Sequence, residues 1–156
     1  MTDMGAETAS DPAMAMAERV ARDFFARDRM AALLGIELGP VAPGRASACL
    51  RATEAMTNPH GTCHGGISFA LADAASSYAC VTWNKQAVGQ HCNVSYLAPA
   101  RPGDILTAEA AEVTRSGRNA IYDITVTDAA GRIVLTGRGV AFIKGGAILP
   151  PEELEL

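Results

Sequence analysis

The segment from Asn58 to Ala79 reads NPHGTCHGGISFALADAASSYA, a run whose one acidic residue is Asp73. After a turn-rich start, Gly65-Gly66 begins a stretch in which apolar side chains recur at intervals of three and four residues. This spacing predicts a helix from Gly65 to about Trp83. Its apolar stripe consists of Ile67, Leu71, Ala74, Tyr78 and Val81.

Asp73 lies outside this apolar stripe. Its neighbours on the opposite face are mostly small or polar, namely Gly66, Phe69, Ala70, Ser76, Ser77 and Cys80. A carboxylate in the middle of a helix can be solvated, paired with a structural neighbour or functional. Because the small neighbours leave space around it, we expect Asp73 to face a cleft or a partner chain.

The rest of the chain divides into a helical N-terminal part and a β-rich part. Asp11-Pro12 is typical of a helix start and predicts a helix over residues 13–35, after a disordered tail at 1–12. Residues 36–146 form the main domain, and residues 147–156 form a C-terminal tail that we expect to be loose. A chain of 156 residues suits one such domain.

Strand patterns dominate after the predicted helix. Extended segments are predicted at 88–96, 105–114, 120–127 and 133–143, with hairpin turns at 116–119 and 128–131. In the first of them, one face is predicted to carry Val88, Gln90, Cys92, Val94 and Tyr96. Together with a broken extended segment over 36–53, this order predicts an α+β domain with an antiparallel sheet against one buried helix.

The composition excludes several classes of protein. Hydrophobic residues make up 49% of the chain and charged residues 19%, and the net charge of −4 argues against a dedicated nucleic-acid binder. The apolar run over 65–83 contains Asp73, so we expect no membrane span. The chain begins without a signal-peptide pattern and its four cysteines form no CxxC pair, which predicts a cytoplasmic protein with reduced thiols.

Three groups of residues resemble one known family. They are Asn58 with His64-Gly65-Gly66, then Leu71-Ala72-Asp73, and a corner formed by Tyr96-Leu97, Pro99-Ala100 and Gly103-Asp104. With this spacing, residues 31–146 resemble the hotdog-fold acyl-CoA thioesterases, most of all the phenylacetate-degradation (PaaI-type) branch. The resemblance implies a five- to six-stranded antiparallel sheet wrapped around a central helix. It also implies a dimer of such units that usually doubles to a tetramer.

The resemblance assigns roles to individual residues. The catalytic carboxylate of the family falls on Asp73, and a related branch carries Glu at this position. The oxyanion-hole amide falls on Gly65, the substrate- or water-positioning asparagine on Asn58, and the motif histidine on His64. The implied substrates are (hydroxy)phenylacetyl-CoA-like aryl thioesters or medium-chain acyl-CoA. We expect no metal and no cofactor, since coenzyme A is part of the substrate.

These residues also suit thioester hydrolysis on chemical grounds. A helix N-terminus presents unpaired N–H groups and the positive end of the helix dipole, and glycine there lets a ligand approach the backbone closely. A carboxylate can act as general base or as nucleophile, and the sequence leaves both alternatives open. Since a thiolate leaves readily, no strong general acid is required.

The spacing of these groups predicts how they assemble. Gly65 and Asp73 are eight residues apart, which is about 12 Å along a helix. One thioester carbon cannot lie about 3 Å from both groups of the same helix. If both act on one substrate, they come from two chains. We therefore expect a homodimer or homotetramer with the active site across a twofold interface.

Further residues are candidates for binding the substrate. On the face of Asp73, room for an acyl chain is expected beside Gly66, Phe69, Ala70 and Ser77. The phosphates of coenzyme A require basic groups, for which the candidates are Arg115, Arg118, Arg138 and Lys144. A solvated position at the edge of the sheet is the alternative for each of these four.

Other interpretations of single residues remain open. Asn58 precedes Pro59 and suits an Asx turn, and His64 suits a capping or supporting role. Cys63 adjoins the helix N-terminus, where a lowered thiol pKa would permit an acyl-cysteine mechanism. A zinc site could be built from His60, Cys63, His91 and Cys92, although their spacing is unlike that of the usual ligand pairs.

Two other functions fit the same fold. One is a non-catalytic acyl-CoA-binding protein, which would bind the thioester without releasing thiol. The other is an enoyl-CoA hydratase, which requires an Asp/His acid–base pair. No histidine follows Asp73 within a few residues, and this argues against the hydratase.

Overall fold

The computed structural model describes residues 11–154, so nearly all of the predicted tail at 1–12 lies outside the described residues. The helices are α1 (Pro12–Ala26), α2 (Arg29–Leu34) and α3 (Gly65–Val81), with short 3-10 turns at Glu54–Met56 and Pro151–Glu153. The strands are β1 (Glu37–Ala42), β2 (Arg45–Arg51), β3 (Ala87–Tyr96), β4 (Ile105–Ser116), β5 (Asn119–Thr127) and β6 (Ile133–Ile143). The predicted central helix is therefore α3.

The six strands form one antiparallel sheet in the order β1-β2-β4-β5-β6-β3. Helix α3 connects β2, near one edge, to β3 at the opposite edge. Within residues 11–154, β3 pairs with β6 alone, and its outer edge has no strand beside it. The predicted fold, an antiparallel sheet wrapped around a central helix, is confirmed.

The core lies between α3 and the concave face of the sheet. Buried residues on α3 include Leu71, Ala72, Ala75, Tyr78 and Ala79. The alanines lack bulk, so the helix lies close to the strands. The strands contribute alternate side chains, as in β4, where the buried residues are Leu106, Ala108 and Ala110. This packing leaves the face of α3 that carries Asp73 outside the core.

The predicted helix over 13–35 is divided into two helices at Asp28. The Oδ1 atom of Asp28 accepts hydrogen bonds from the amides of Met30 (3.0 Å) and Ala31 (2.9 Å), which caps α2 and ends the continuity with α1. Gly35, at a φ of 68°, ends α2 in the left-handed region that favours glycine. The sequence pattern missed this break because every residue around Asp28 is compatible with a helix.

Two other segments differ from the prediction. Strand β3 contains an irregularity between Gly89 and His91, so the predicted face of alternating residues does not continue through it. Residues 148–149 of the predicted loose tail are held in place, because the Oδ1 atom of Asn84 accepts hydrogen bonds from the amides of Ile148 (3.0 Å) and Leu149 (2.9 Å). Leu149 is buried as a result.

None of the helices in residues 11–154 has the combination of length and hydrophobicity that crossing a membrane demands.

Candidate functional site

The hydrogen bonds at the start of α3 decide whether the predicted amide donor is free for a ligand. His64 caps the helix, and its Nδ1 atom accepts a hydrogen bond from the amide of Gly66 at 2.9 Å. The next amide, that of Ile67, donates to the carbonyl of His64. Within residues 11–154 no acceptor is present for the amide of Gly65. The predicted oxyanion donor is thus available, and His64 has the capping role named as its alternative.

The backbone conformation does not favour glycine at position 65, since its φ lies outside the left-handed region, but a neighbouring side chain limits the space there. A Cβ atom at this position would lie 3.0 Å from Cε1 of Tyr96, the last residue of β3. The two residues line a cleft of about 330 Å³ that we call the amide cleft, together with Asn58, Thr62 and Ser68. The free amide therefore opens onto a space that β3 helps to form.

Asn58 holds the turn that leads to this cleft. Its Oδ1 atom accepts hydrogen bonds from the amides of His60 (2.9 Å) and Thr62 (3.2 Å), and its Nδ2 atom donates to Oγ1 of Thr62 (2.9 Å). This is the Asx turn that the sequence offered as an alternative. The side chain is half-buried and also lines the amide cleft, so a role toward a ligand stays a prediction.

Asp73 lies at the junction of two other cavities. The first, about 470 Å³ and called here the edge groove, lies between α3 and β3 and is lined by Asp73, Ser76, Cys80 and the segment 87–92. The second, about 590 Å³ and called here the roof cavity, lies between α3 and the helices α1 and α2. Within residues 11–154 no donor is hydrogen-bonded to the Asp73 carboxylate, so its oxygens are free for a ligand or water.

The surroundings of Asp73 make it a stronger base than an ordinary aspartate. Partial burial beneath the N-terminal helices raises its pKa, and the negative charge of Asp28 raises it further. A carboxylate that is removed from water loses stabilisation of its charged form. A raised pKa brings a general base closer to the ambient pH, where proton transfer is more effective.

The predicted site residues fall into two separate groups. Gly66, Phe69 and Ser77 line the roof cavity together with Asp73. Gly65 and Asn58 line the amide cleft, which Asp73 does not reach. Asp73 and Gly65 belong to the same helix, α3, and eight residues separate them by about 12 Å. One chain alone does not bring these two groups together.

The four basic candidates are engaged within the chain or lie away from these cavities. The guanidinium group of Arg115 is paired with Glu112 at 2.7 Å and lies over the ring of Trp83. Arg118 donates to the carbonyls of Ile143 and Lys144. Arg138 is paired with Asp123 at 2.7 Å, and Lys144 is exposed. None of the four lines the edge groove, the roof cavity or the amide cleft, so their binding of phosphate stays a prediction.

The structure supports neither an acyl-cysteine mechanism at Cys63 nor the zinc site considered above. Cys63 is buried, and burial raises the pKa of its thiol, the opposite of what an acyl-cysteine mechanism requires. Among residues 11–154, no group of three or more His, Cys, Asp or Glu residues is arranged to hold a metal ion.

Sequence reasoning missed two sets of residues beside Asp73. The segment Gln90–Cys92 of β3 lines the edge groove, and the irregularity at Gly89 disturbs the alternation that would have identified it. Phe24 and Met30 of the N-terminal helices line the roof cavity. Their apolar character was visible in the sequence, but nothing local relates residues 24–30 to residue 73.

Comparison with known proteins identifies the family. A sequence model of the thioesterase superfamily matches residues 60–135. The acyl-coenzyme A thioesterase PaaI of Escherichia coli (strain K12) is 34% identical over 128 residues, which cover 82% of this chain and 91% of that protein. The solved structure of the E. coli PaaI protein from the phenylacetic acid degradation operon matches with a TM-score of 0.83 at 33% identity. It covers 85% of this chain and 96% of its own.

A second solved structure, the TT0310 protein of Thermus thermophilus, matches with a TM-score of 0.71 at 35% identity and covers 74% of this chain and 97% of its own. These matches agree with the antiparallel sheet that wraps α3. The resemblance seen in the sequence is confirmed: the chain belongs to the thioesterase superfamily, and within it to the hotdog-fold acyl-CoA thioesterases of the PaaI-type branch.

Proposed function

We propose that this protein hydrolyses the thioester bond of acyl-CoA substrates with a (hydroxy)phenylacetyl-like aryl group or a medium-length acyl chain. The observation that carries the proposal is the unpaired amide of Gly65 at the start of the helix that also presents the free carboxylate of Asp73. An amide donor and a carboxylate base are the two groups that thioester hydrolysis requires. Because a thiolate leaves unaided, we propose that the reaction needs no metal or cofactor.

In the proposed reaction, water attacks the thioester carbonyl carbon while Asp73 takes a proton from the water. The negative charge that develops on the carbonyl oxygen is stabilised by the amide of Gly65 and by the positive end of the α3 dipole. The carbon–sulfur bond then breaks, and the thiolate of coenzyme A receives the proton from Asp73. In the alternative route the carboxylate attacks the carbonyl carbon directly, and water hydrolyses the resulting anhydride.

We propose that two copies of the chain pair along β3 to form the active site. The outer edge of β3 is ten residues long, and exposed apolar side chains lie along it, among them Val88 (48% exposed) and Tyr96 (55%). A long unpaired edge of this kind is suited to pairing with another strand. Twofold antiparallel pairing of β3 with itself would bring residues 89–92 of one copy opposite residues near Tyr96 of the other.

That pairing would join the edge groove beside Asp73 of one copy to the amide cleft beside Gly65 of the other. Residues 89–92 line the edge groove beside Asp73, whereas Tyr96 lines the amide cleft beside Gly65. The carboxylate of one copy would then approach the amide of the other, and two equivalent sites would form per dimer. A tetramer of two such dimers is compatible with this arrangement.

One observation favours a second candidate function, enoyl-CoA hydration. His91 lines the edge groove together with Asp73, although it is far from Asp73 in sequence. Within residues 11–154 no hydrogen bond joins the two side chains, so the acid–base pair that hydration requires is not formed in the single chain. We therefore favour hydrolysis.

Replacing the proposed base tests the function. We expect Asp73→Asn to lower thiol release from phenylacetyl-CoA by about 10²–10⁴-fold, because an amide cannot accept the proton. Thiol release is measured with a thiol-detecting reagent over a panel of aryl and aliphatic acyl-CoAs, and the absorbance of an enoyl-CoA is followed to detect hydration. Size-exclusion chromatography reports the oligomer, which we expect to be unchanged.

The matched control for this variant is Asp123→Asn, which neutralises an exposed carboxylate outside the three cavities. It should retain activity within about twofold, as is usual for a surface substitution. Undiminished thiol release by Asp73→Asn would remove Asp73 from the mechanism. Acyl-CoA binding by the wild-type protein without any thiol release would instead identify a non-catalytic binding protein.

The role of the Gly65 amide can be tested by removing its N–H group. Proline is favoured at the first position of a helix, and His64, at φ −61° and ψ 133°, has the conformation required before proline. We expect Gly65→Pro to lower kcat by about 10²–10³-fold. Gly65→Ala adds the same Cβ atom beside Tyr96 but retains the donor, so it should remain the more active variant by at least about tenfold. Equal losses in the two variants would contradict a role for the N–H group.

Mixing two inactive variants tests the shared site. In a dimer of one Asp73→Asn chain and one Gly65→Pro chain, one of the two proposed sites contains both wild-type groups. Coexpression followed by subunit exchange should therefore restore activity to about a quarter of the wild-type value for random pairing. Each variant mixed with itself is the control. No recovery in verified mixed dimers would place both groups in one chain or exclude one of them.

The raised pKa of Asp73 predicts the pH dependence. A general base acts when deprotonated, so kcat/KM should fall as the pH drops through the pKa of Asp73. This acid limb should lie above about pH 4, where an ordinary aspartate titrates. Asp28→Asn removes the nearby negative charge and keeps a good helix cap, so the limb should move to lower pH. Asp123→Asn should leave the acid limb of the pH profile in place. An unchanged acid limb in Asp28→Asn would contradict the electrostatic coupling between Asp28 and Asp73.

A further inference from the structure

The N-terminal helices lie against the part of α3 that carries Asp73. The hydroxyl of Tyr78 on α3 donates a hydrogen bond to Oδ2 of Asp28 at 2.8 Å, while Oδ1 of Asp28 caps α2. The rings of Phe24 and Phe25 contact the Tyr78 ring edge to face, with centroids 6.5 and 5.7 Å away. The bonds of Asp28 hold α2 against α3, and the two phenylalanine rings hold α1 there.

These contacts form the roof cavity between the N-terminal helices and α3. Phe24 and Met30 of the N-terminal helices form its roof, and Phe69, Ala70 and Asp73 of α3 lie on its floor. A volume of about 590 Å³ lies in the range of pockets that hold small ligands. The cavity therefore has the size and the apolar lining to bind an organic group next to the proposed base.

The charges around the roof cavity decide which part of an acyl-CoA can bind there, the acyl group or the coenzyme A part. Asp28 and Asp73 both line it, and the basic residue that lines it, Arg27, is already paired with Asp23. The phosphates of coenzyme A would meet two carboxylates there without a free cation, which is unfavourable. An uncharged acyl group brings no such cost and buries apolar surface.

We propose that the roof cavity binds the acyl group of the substrate, and that helices α1 and α2 form the wall that selects an uncharged aryl or medium-length chain. This inference rests on the proposed thioesterase function and adds the location of the acyl group and the role of the N-terminal helices. The coenzyme A part of the substrate then extends from Asp73 along the edge groove, away from the roof cavity. Acyl groups that end in a carboxylate are poor substrates, because their charge meets Asp28.

Filling the cavity from its floor tests the proposal. Ala70 is half-buried on α3, and leucine is a good helix former, so Ala70→Leu keeps the helix while occupying part of the cavity. We expect kcat/KM for phenylacetyl-CoA and octanoyl-CoA to fall by about 10–200-fold. For the shortest acyl-CoA that the wild-type protein hydrolyses, kcat/KM should change by less than about threefold. The matched control, Ala32→Leu, makes the same exchange at an exposed position of α2 outside the cavity. It should leave the whole profile unchanged.

Enlarging the cavity gives an independent test that does not depend on Ala70→Leu folding. Met30 lines the roof and is 56% exposed, so Met30→Ala removes part of the wall with little effect on the core. We expect the ratio of kcat/KM for dodecanoyl-CoA to that for hexanoyl-CoA to rise by at least about threefold. Far-UV circular dichroism and the melting temperature establish that each variant is folded.

The outcomes separate this inference from the proposed function. A wild-type protein that releases no thiol from any acyl-CoA would overturn both. A wild-type protein that is active, with Met30→Ala and any folded Ala70→Leu keeping the wild-type acyl profile, would overturn the acyl site alone. Equal loss for all chain lengths in Ala70→Leu, with an unchanged profile in Met30→Ala, would also overturn it. Efficient hydrolysis of an acyl-CoA with a terminal carboxylate would contradict the selection by charge.

Discussion

The two groups that we propose to react belong to one helix, and the geometry of that helix keeps them apart. Gly65 lies at the N-terminus of α3, where an amide is free and the dipole is positive. Asp73 lies two turns further along, beside different cavities. No rotation of a side chain removes a separation of about 12 Å along a helix axis. The pairing that we propose along the long open edge of β3 would bring two such helices together.

Burial of α3 on one face makes this arrangement rigid. Leu71 and Tyr78 have no exposed surface, and the antiparallel strands enclose that side of the helix. The opposite face remains free because its residues are small or polar, and Asp73 is there without a hydrogen-bonding partner in residues 11–154. A carboxylate that is held firmly, only partly hydrated and unpaired has a raised pKa and remains reactive. Packing on one side of the helix thus permits chemistry on the other.

The sequence predicted the central part of this structure well. The spacing of apolar residues predicted α3 to within two residues at its C-terminal end, and the turn residues predicted the hairpins between β4, β5 and β6. Local chemistry also explains the cap at His64 and the Asx turn at Asn58. These features depend on residues close together in the chain, and for that reason a pattern of residue types is sufficient to predict them.

The family and the central helix were predictable from the sequence, because both depend on residue types at a local spacing. The same local spacing suggested the Gly65 amide and the Asp73 carboxylate, whose roles remain proposals. The residues that surround Asp73 come from distant parts of the chain, and only the folded structure shows them. The break at Asp28, its bond to Tyr78 across fifty residues, and the roof cavity that results are contacts between segments far apart in the chain. The pairing of β3 with β6, whose register shifts between Gly89 and His91 beside the edge groove, is also a contact of this kind. Such contacts depend on how the sheet curves around α3, and no periodicity within a segment encodes that curvature.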